Sequence, residues 1–198
     1  AGASATSGSY YNVMMGRRAG YDLDGGDFNV FIGYYAGYHG GTGNYNHGIG
    51  RQALVNLTTG THNSGIGYQA LLNVDSGYEN NGLGYRAGRS ITTGAKNTVI
   101  GHHAGYQQDS STTNALTTGF NVTCLGNEAM PSSATAMNEI TLGDNDITSL
   151  RCNVQTISSL SDERDKTAIK TLPYGLDFIN DMRPVQFTWN RRDGSLGD

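Results

Sequence analysis

His102 and His103 stand side by side, and paired imidazoles are a common start to a transition-metal site. Neighbouring residues of a strand face opposite ways, so one chain is not expected to chelate with both; three copies of one histidine around a trimer axis would. Cys124 and Cys152 lie far apart and form no CxxC, so unpaired thiols are expected, with no disulfide or metal role. Glycoside hydrolysis needs two carboxylates flanking the scissile bond, yet Asp75 and Glu79 are the only acids between Asn29 and Gly105. Among the twelve tyrosines, Tyr34, Tyr68 and Tyr85 follow a repeated glycine, which reads as a stabilising aromatic ladder before a row of sugar platforms. The most regular polar group is the amide of Asn12, Asn29, Asn46, Asn63, Asn80 and Asn97, recurring every 17 residues. Such an amide bends the chain or pairs with the amide above it, and this structural role is expected ahead of ligand binding.

The asparagines belong to a larger repeat. Four residues after each stands Gly16, Gly33, Gly50, Gly67, Gly84 or Gly101, preceded by Met15, Ile32, Ile49, Ile66, Leu83 or Ile100. Ala19, Ala36, Ala53, Ala70, Ala87 and Ala104 follow those glycines at three residues, and Gly26, Gly43, Gly60, Gly77 and Gly94 precede an asparagine at three. The next unit, at Gly126, comes 25 residues after Gly101, with "YQQDSSTTNAL" supplying a polar surface loop; Gly143 restores the 17-residue step.

A fixed short period means stacked units that cannot bury an apolar face alone. Dense glycine, apolar runs too short for a helical stripe, and frequent turn pairs favour strands. The expectation is an all-β repeat solenoid, a parallel β-roll or β-helix of 17-residue coils, each with two short strands and two turns. Coils about 4.8 Å apart would stack into a rod of about 40 Å. The apolar residue before each glycine is expected to point inward, and the alanines to pack where the coil is thin. So narrow a core favours a homotrimer, with Val55 and Leu72, or Tyr21, Tyr38 and Tyr106, as interface columns.

Composition excludes several partners. A formal net charge of -4 gives no footprint for nucleic acid or anionic lipid. No apolar run approaches the ~18 residues of a membrane helix, so no membrane insertion is expected. The calcium-binding nonapeptide repeat does not fit a 17-residue period, and no cofactor is expected. The opening "AGASATSGSYY" has no initiator Met and reads as a fragment or a processed product.

The Asn-x-x-Ile-Gly-x-x-Ala array, residues 12 to about 143, resembles the head repeats of trimeric autotransporter adhesins and similar arrays in phage tail fibres. That resemblance implies a trimeric β-roll and says little about ligand. The expected divisions are a lead-in at 1–11, the roll at 12–143, a connector at 144–160 and a second module at 161–198.

In that last stretch the period vanishes and charge crowds. "SDERDKTAIKTL" reads as a helix capped by Ser161, "YGLDFINDM" as a short helix and "VQFTWN" as a strand, a small C-terminal α+β segment. Ser161, Asp162, Arg164, Lys166 and Ile169, with "MRPVQFTWN", resemble the opening of the endosialidase-type intramolecular chaperone of phage tail spikes and fibres. The resemblance implies trimer templating followed by self-cleavage of the Leu160–Ser161 bond, with Ser161 as nucleophile and Lys166 as its base. It also implies a truncated domain, because the family runs on past "GSLGD". A desolvated lysine can activate a serine. Five residues along a helix turn about 500°, so this dyad needs a bend or a neighbouring subunit.

These readings lead to a trimeric structural component of a phage tail fibre or virion appendage that presents its roll to a host-cell receptor, with a glycan as the candidate ligand, and joins other virion tail proteins. The alternatives are a single-turnover self-cleaving peptidase, and a bacterial trimeric adhesin head at the cell surface. The adhesin reading is weakened because such adhesins end in a membrane barrel.

Overall fold

The computed structural model describes residues 8–106 and 114–151. The chain divides after Leu150 into two compact units, and the fold described here is that of the first. Eight strands are ordered along the chain: β1 Val13–Met15, β2 Val30–Ile32, β3 His47–Ile49, β4 Ser64–Ile66, β5 Asn81–Leu83, β6 Thr98–Ile100, β7 Phe120–Leu125 and β8 Met137–Leu142. They form one parallel sheet in sequential order, and each strand is the matching leg of the next coil. The fold is a β-solenoid, and there is no helix among the described residues, hence none to cross a membrane.

Register follows the sequence period. Met14 pairs with Phe31, Phe31 with Gly48, and Gly48 with Gly65, each a step of 17 residues. Val99 pairs with Cys124, a step of 25, so the sheet's stacking continues across the eight-residue excess. Phe120 with Met137 restores 17.

Each coil carries one three-residue strand through β6, where two strands were expected. The opposite leg still hydrogen-bonds from coil to coil: Gly37 N donates to Ala53 O at 2.9 Å and His39 N to Val55 O at 3.0 Å. Its backbone is turned by left-handed residues such as Tyr35 and Gly37, at φ 59 and 55, and these prevent a second extended run.

Parity corrects a second expectation. In a three-residue strand only the middle side chain faces inward. Phe31 and Val99 are such residues and are fully buried, as is Cys124, which pairs with Val99 in the longer β7, whereas Met15, Ile49, Ile66, Leu83 and Ile100, each just before a glycine, face solvent. The next glycine accounts for their constancy in another way. Gly50 has φ +133, and a Cβ there would lie 2.5 Å from Gly67 O of the coil above.

The core is filled by compensation between positions six residues apart. Where the strand centre is large, as at Phe31, the turn holds Gly37. Where the centre is Gly48 or Gly65, the turn supplies fully buried Leu54 or Leu71. Coil five has glycine at both places, Gly82 and Gly88. Leu71 from below and Val99 from above fill it, their methyls 2.7 and 2.8 Å from where a Gly88 Cβ would stand. Leu23, Leu57, Val74, Ile91 and Leu116 complete an interior backed by the buried alanines of the repeat. That is close packing achieved by exchange of volume along the stack.

Candidate functional site

Asn29, Asn46, Asn63, Asn80 and Asn97 are fully buried, so no soluble ligand reaches them. Each amide ties coils together. Asn63 Nδ2 donates to Gly77 O at 2.8 Å and to Asn46 Oδ1 at 3.1 Å, and Asn63 Oδ1 accepts from Asn80 N at 3.1 Å. Asn12, at the start of the column, is half-buried and donates to Gly26 O at 2.8 Å. At the other end Val122 N donates to Asn97 Oδ1 at 3.0 Å, so the ladder runs on across the long coil. The glycines of the second ladder are needed here for contact: a Cβ on Gly43 would lie 2.2 Å from Gly60 O.

Aromatic side chains stack outside the coil. Arg51 lies over both Tyr34 and Tyr68, at 5.6 and 5.5 Å, Tyr68 stacks on Tyr85 at 5.1 Å, and Tyr85 on His102 at 5.0 Å. A second column stacks Tyr11, Phe28, Tyr45 and His62 at 4.8 to 4.9 Å. A ring covered on both faces shows only its edge to solvent, and sugars stack on faces. Inner rings of these columns are therefore rungs of a ladder and offer no carbohydrate platform.

The outward face of the sheet carries the apolar column Met15, Ile32, Ile49, Ile66, Leu83, Ile100, Leu125 and Leu142, with Val13 and Ile140 beside it. Of the interface columns expected from sequence, Tyr21 and Tyr38 stack on each other at 5.3 Å, and they, Val55, Leu72 and Tyr106 are half-buried. The sheet column is the more exposed apolar surface.

A cluster of different chemistry sits where the long coil leaves the sheet. His102 and His103 follow β6 in a turn, and φ +58 at His103 swings its ring beside that of His102, with centroids 4.1 Å apart. The expectation that neighbours must diverge fails because these residues are not in a strand. Glu128, from the next coil, brings Oε1 to 3.9 Å from His103 Nδ1. Burial, helped by His102 and Arg86, holds the His103 pKa below its ordinary value, with Glu128 opposing. His103 and Glu128 border a cleft of about 980 Å³ lined also by Tyr106, Glu139, Asp144 and Asp146. Glu139 accepts hydrogen bonds from Ser132 and Thr141, which hold its carboxyl below the usual range. Cys124 is buried, and desolvation with the nearby Glu139 pushes its thiol up to about 11, so it is neither nucleophile nor ready metal ligand. Cys152 lies outside the described residues.

Leu160, Ser161 and Lys166, and the α+β segment expected at 161–198, also lie outside the described residues. Residues 161–198 match the family described as chaperone of endosialidase. The chain thus joins a parallel β-solenoid to a chaperone-family sequence. No curated protein and no solved structure is significantly similar to it.

Proposed function

We propose that the protein is a structural segment of a phage tail fibre or similar virion appendage, in which three copies associate and the C-terminal segment templates that association. The observation that carries the reading is the chaperone-of-endosialidase match at residues 161–198, directly after a repetitive β-solenoid. The apolar column on the sheet's outer face supports it, because a soluble chain gains by covering such a surface with copies of itself. In this reading the shaft's outer loops meet a host-cell receptor, with other virion tail proteins as neighbours. Native mass spectrometry of the full chain tests the association. Three chains per particle are expected, and Ile66→Asp shifts the mass to one chain while far-UV circular dichroism stays unchanged. A wild-type monomer at micromolar concentration overturns the proposal.

The same match favours a second activity, a single cut at Leu160–Ser161 with Ser161 as nucleophile and Lys166 as base. Intact masses of the wild-type chain and Ser161→Ala test it. Cleaved wild type beside uncut variant supports the activity, and identical full-length masses remove it.

A further inference from the structure

We propose that His102, His103 and Glu128 bind one divalent transition cation, with Zn²⁺ the ion their chemistry suits best. One ligand atom from each lies within 4.8 Å of the other two. Metal bonds of about 2.0–2.1 Å place tetrahedral ligands about 3.4 Å apart, so closure needs ligand movements of roughly 1 Å or less. His102 and Glu128 are exposed, and the His102 ring, stacked on Tyr85 through its face, keeps its nitrogens at the ring edge.

His103 supplies the independent sign of a ligand. Its imidazole is only 3% exposed, yet its Nε2 has no hydrogen-bond partner. Its Nδ1 is 3.9 Å from the Glu128 carboxylate, beyond hydrogen-bond reach. Whichever tautomer the ring adopts, the buried Nε2 is left unpaired, as a lone pair or as an N–H, and buried polar atoms are rarely left so. The Arg86 guanidinium opposes a cation here, and the Glu128 carboxylate offsets it.

Two imidazoles and one carboxylate select a borderline ion such as Zn²⁺ over Mg²⁺ or Ca²⁺, which want oxygen. Three protein ligands leave a position open, and the cleft gives room for water there; Glu139, Asp144 and Asp146 on its walls attract cations. The position in the fold gives the ion a purpose. His102 and His103 lie just before the eight-residue excess and Glu128 just after it, so a bound ion would clasp the two coils where the 17-residue step becomes 25. The clasp is independent of the proposed trimer, because one chain supplies all three ligands.

The test is calorimetric titration of the full chain with Zn²⁺, with Co²⁺ as a spectroscopic probe. One ion per chain, the visible bands of low-coordinate Co²⁺, and a rise in Tm on adding Zn²⁺ are expected. His102→Ala and Glu128→Gln change exposed side chains, so circular dichroism should stay native while affinity falls by at least about tenfold. His39→Ala, at the exposed His39–Asp22 pair, should leave affinity unchanged. Absence of saturable binding overturns the proposal, as does binding unaffected by His102→Ala and Glu128→Gln.

Discussion

Asn63→Ala removes one amide from the middle of the buried column, and the structure gives the cost. Two groups lose the partners they have: Gly77 O, which accepts from Asn63 Nδ2 at 2.8 Å, and Asn80 N, which donates to Asn63 Oδ1 at 3.1 Å. Two neighbours keep a partner, since Asn46 Oδ1 still accepts from residue 63's backbone N at 3.0 Å and Asn80 Nδ2 still donates to Gly94 O at 2.7 Å. A buried group left unsatisfied costs about 1–3 kcal/mol, so the pair gives about 2–6 kcal/mol. Water entering the small cavity would bring the value to the low end of that range. The control is Asn56→Ala, which breaks an exposed amide pair with Asn73 and should cost within about 0.5 kcal/mol. Hydrogen exchange at the Asn80 amide reads the rung directly: at the lower bound of about 2 kcal/mol it should speed up roughly thirtyfold. Urea unfolding at fixed protein concentration should rank the two variants in the same order. Unchanged Asn80 exchange, together with an unfolding cost no larger than that of Asn56→Ala, would refute the hydrogen-bond reckoning. Asn63→Asp should be worse than alanine at neutral pH, because it buries a charge beside Asn46 Oδ1 and still offers Gly77 O no donor.

Further perturbations separate the other packing claims. Gly50→Ala meets both φ +133 and the Gly67 carbonyl, so it should cost several kcal/mol in unfolding experiments, at least ~2. Gly25→Ala, at φ +85 with open space around it, should cost less because it carries backbone strain alone. Cys124, with its thiol pushed up to about 11, should resist iodoacetamide at pH 8 in the native chain and react on unfolding, read by peptide mass spectrometry. Because its folded pKa exceeds the ordinary 9.0, the stability it contributes is complete below pH 9.0 and falls as pH rises toward 11; Cys124→Ala should flatten that part of the unfolding profile. His103 has the opposite sign: its lowered pKa contributes stability that is present above its ordinary 6.5 and lost as pH falls, so unfolding midpoints should drop on acidification, less in His103→Gln.

The coil was legible because a constant step of 17 residues can be met by stacking and by little else. Which way a side chain faces was not. Period fixes what lies above what, while facing depends on parity within the strand, and a one-residue error turns every side chain over. Ile66 was the inward residue expected beside Gly67, yet the strand centre is Gly65, and Leu54 reaches in from the coil below to 3.4 Å from where a Gly65 Cβ would stand. The exchange between Phe31 with Gly37 and Gly48 with Leu54 was visible in the sequence as an anticorrelation of size, although it needs the fold to show that these positions share one space. The histidine pair was misread for a related reason. The closeness of its two rings comes from a single left-handed residue, His103, and the pairing rule assumed for it belongs to strands.

The outward apolar column and the buried amides are two sides of one arrangement. Each rung holds adjacent coils through backbone and amide hydrogen bonds, and the interior beside it needs only an alanine and a few larger side chains exchanged among neighbouring coils. A coil organised in this way does not require Ile49 or Ile66 inside. Those side chains instead form a continuous stripe at the sheet's repeat distance, a surface a second copy can match residue for residue because it carries the same period. On the proposed association, stability within the chain and contact between chains would draw on different residues. On this argument Asn63→Ala should loosen the coil even in a dissociated chain, and Ile66→Asp should separate chains whose coils remain intact. A variant of the stripe that melted the coil as thoroughly as loss of an amide rung would show the two functions to be one.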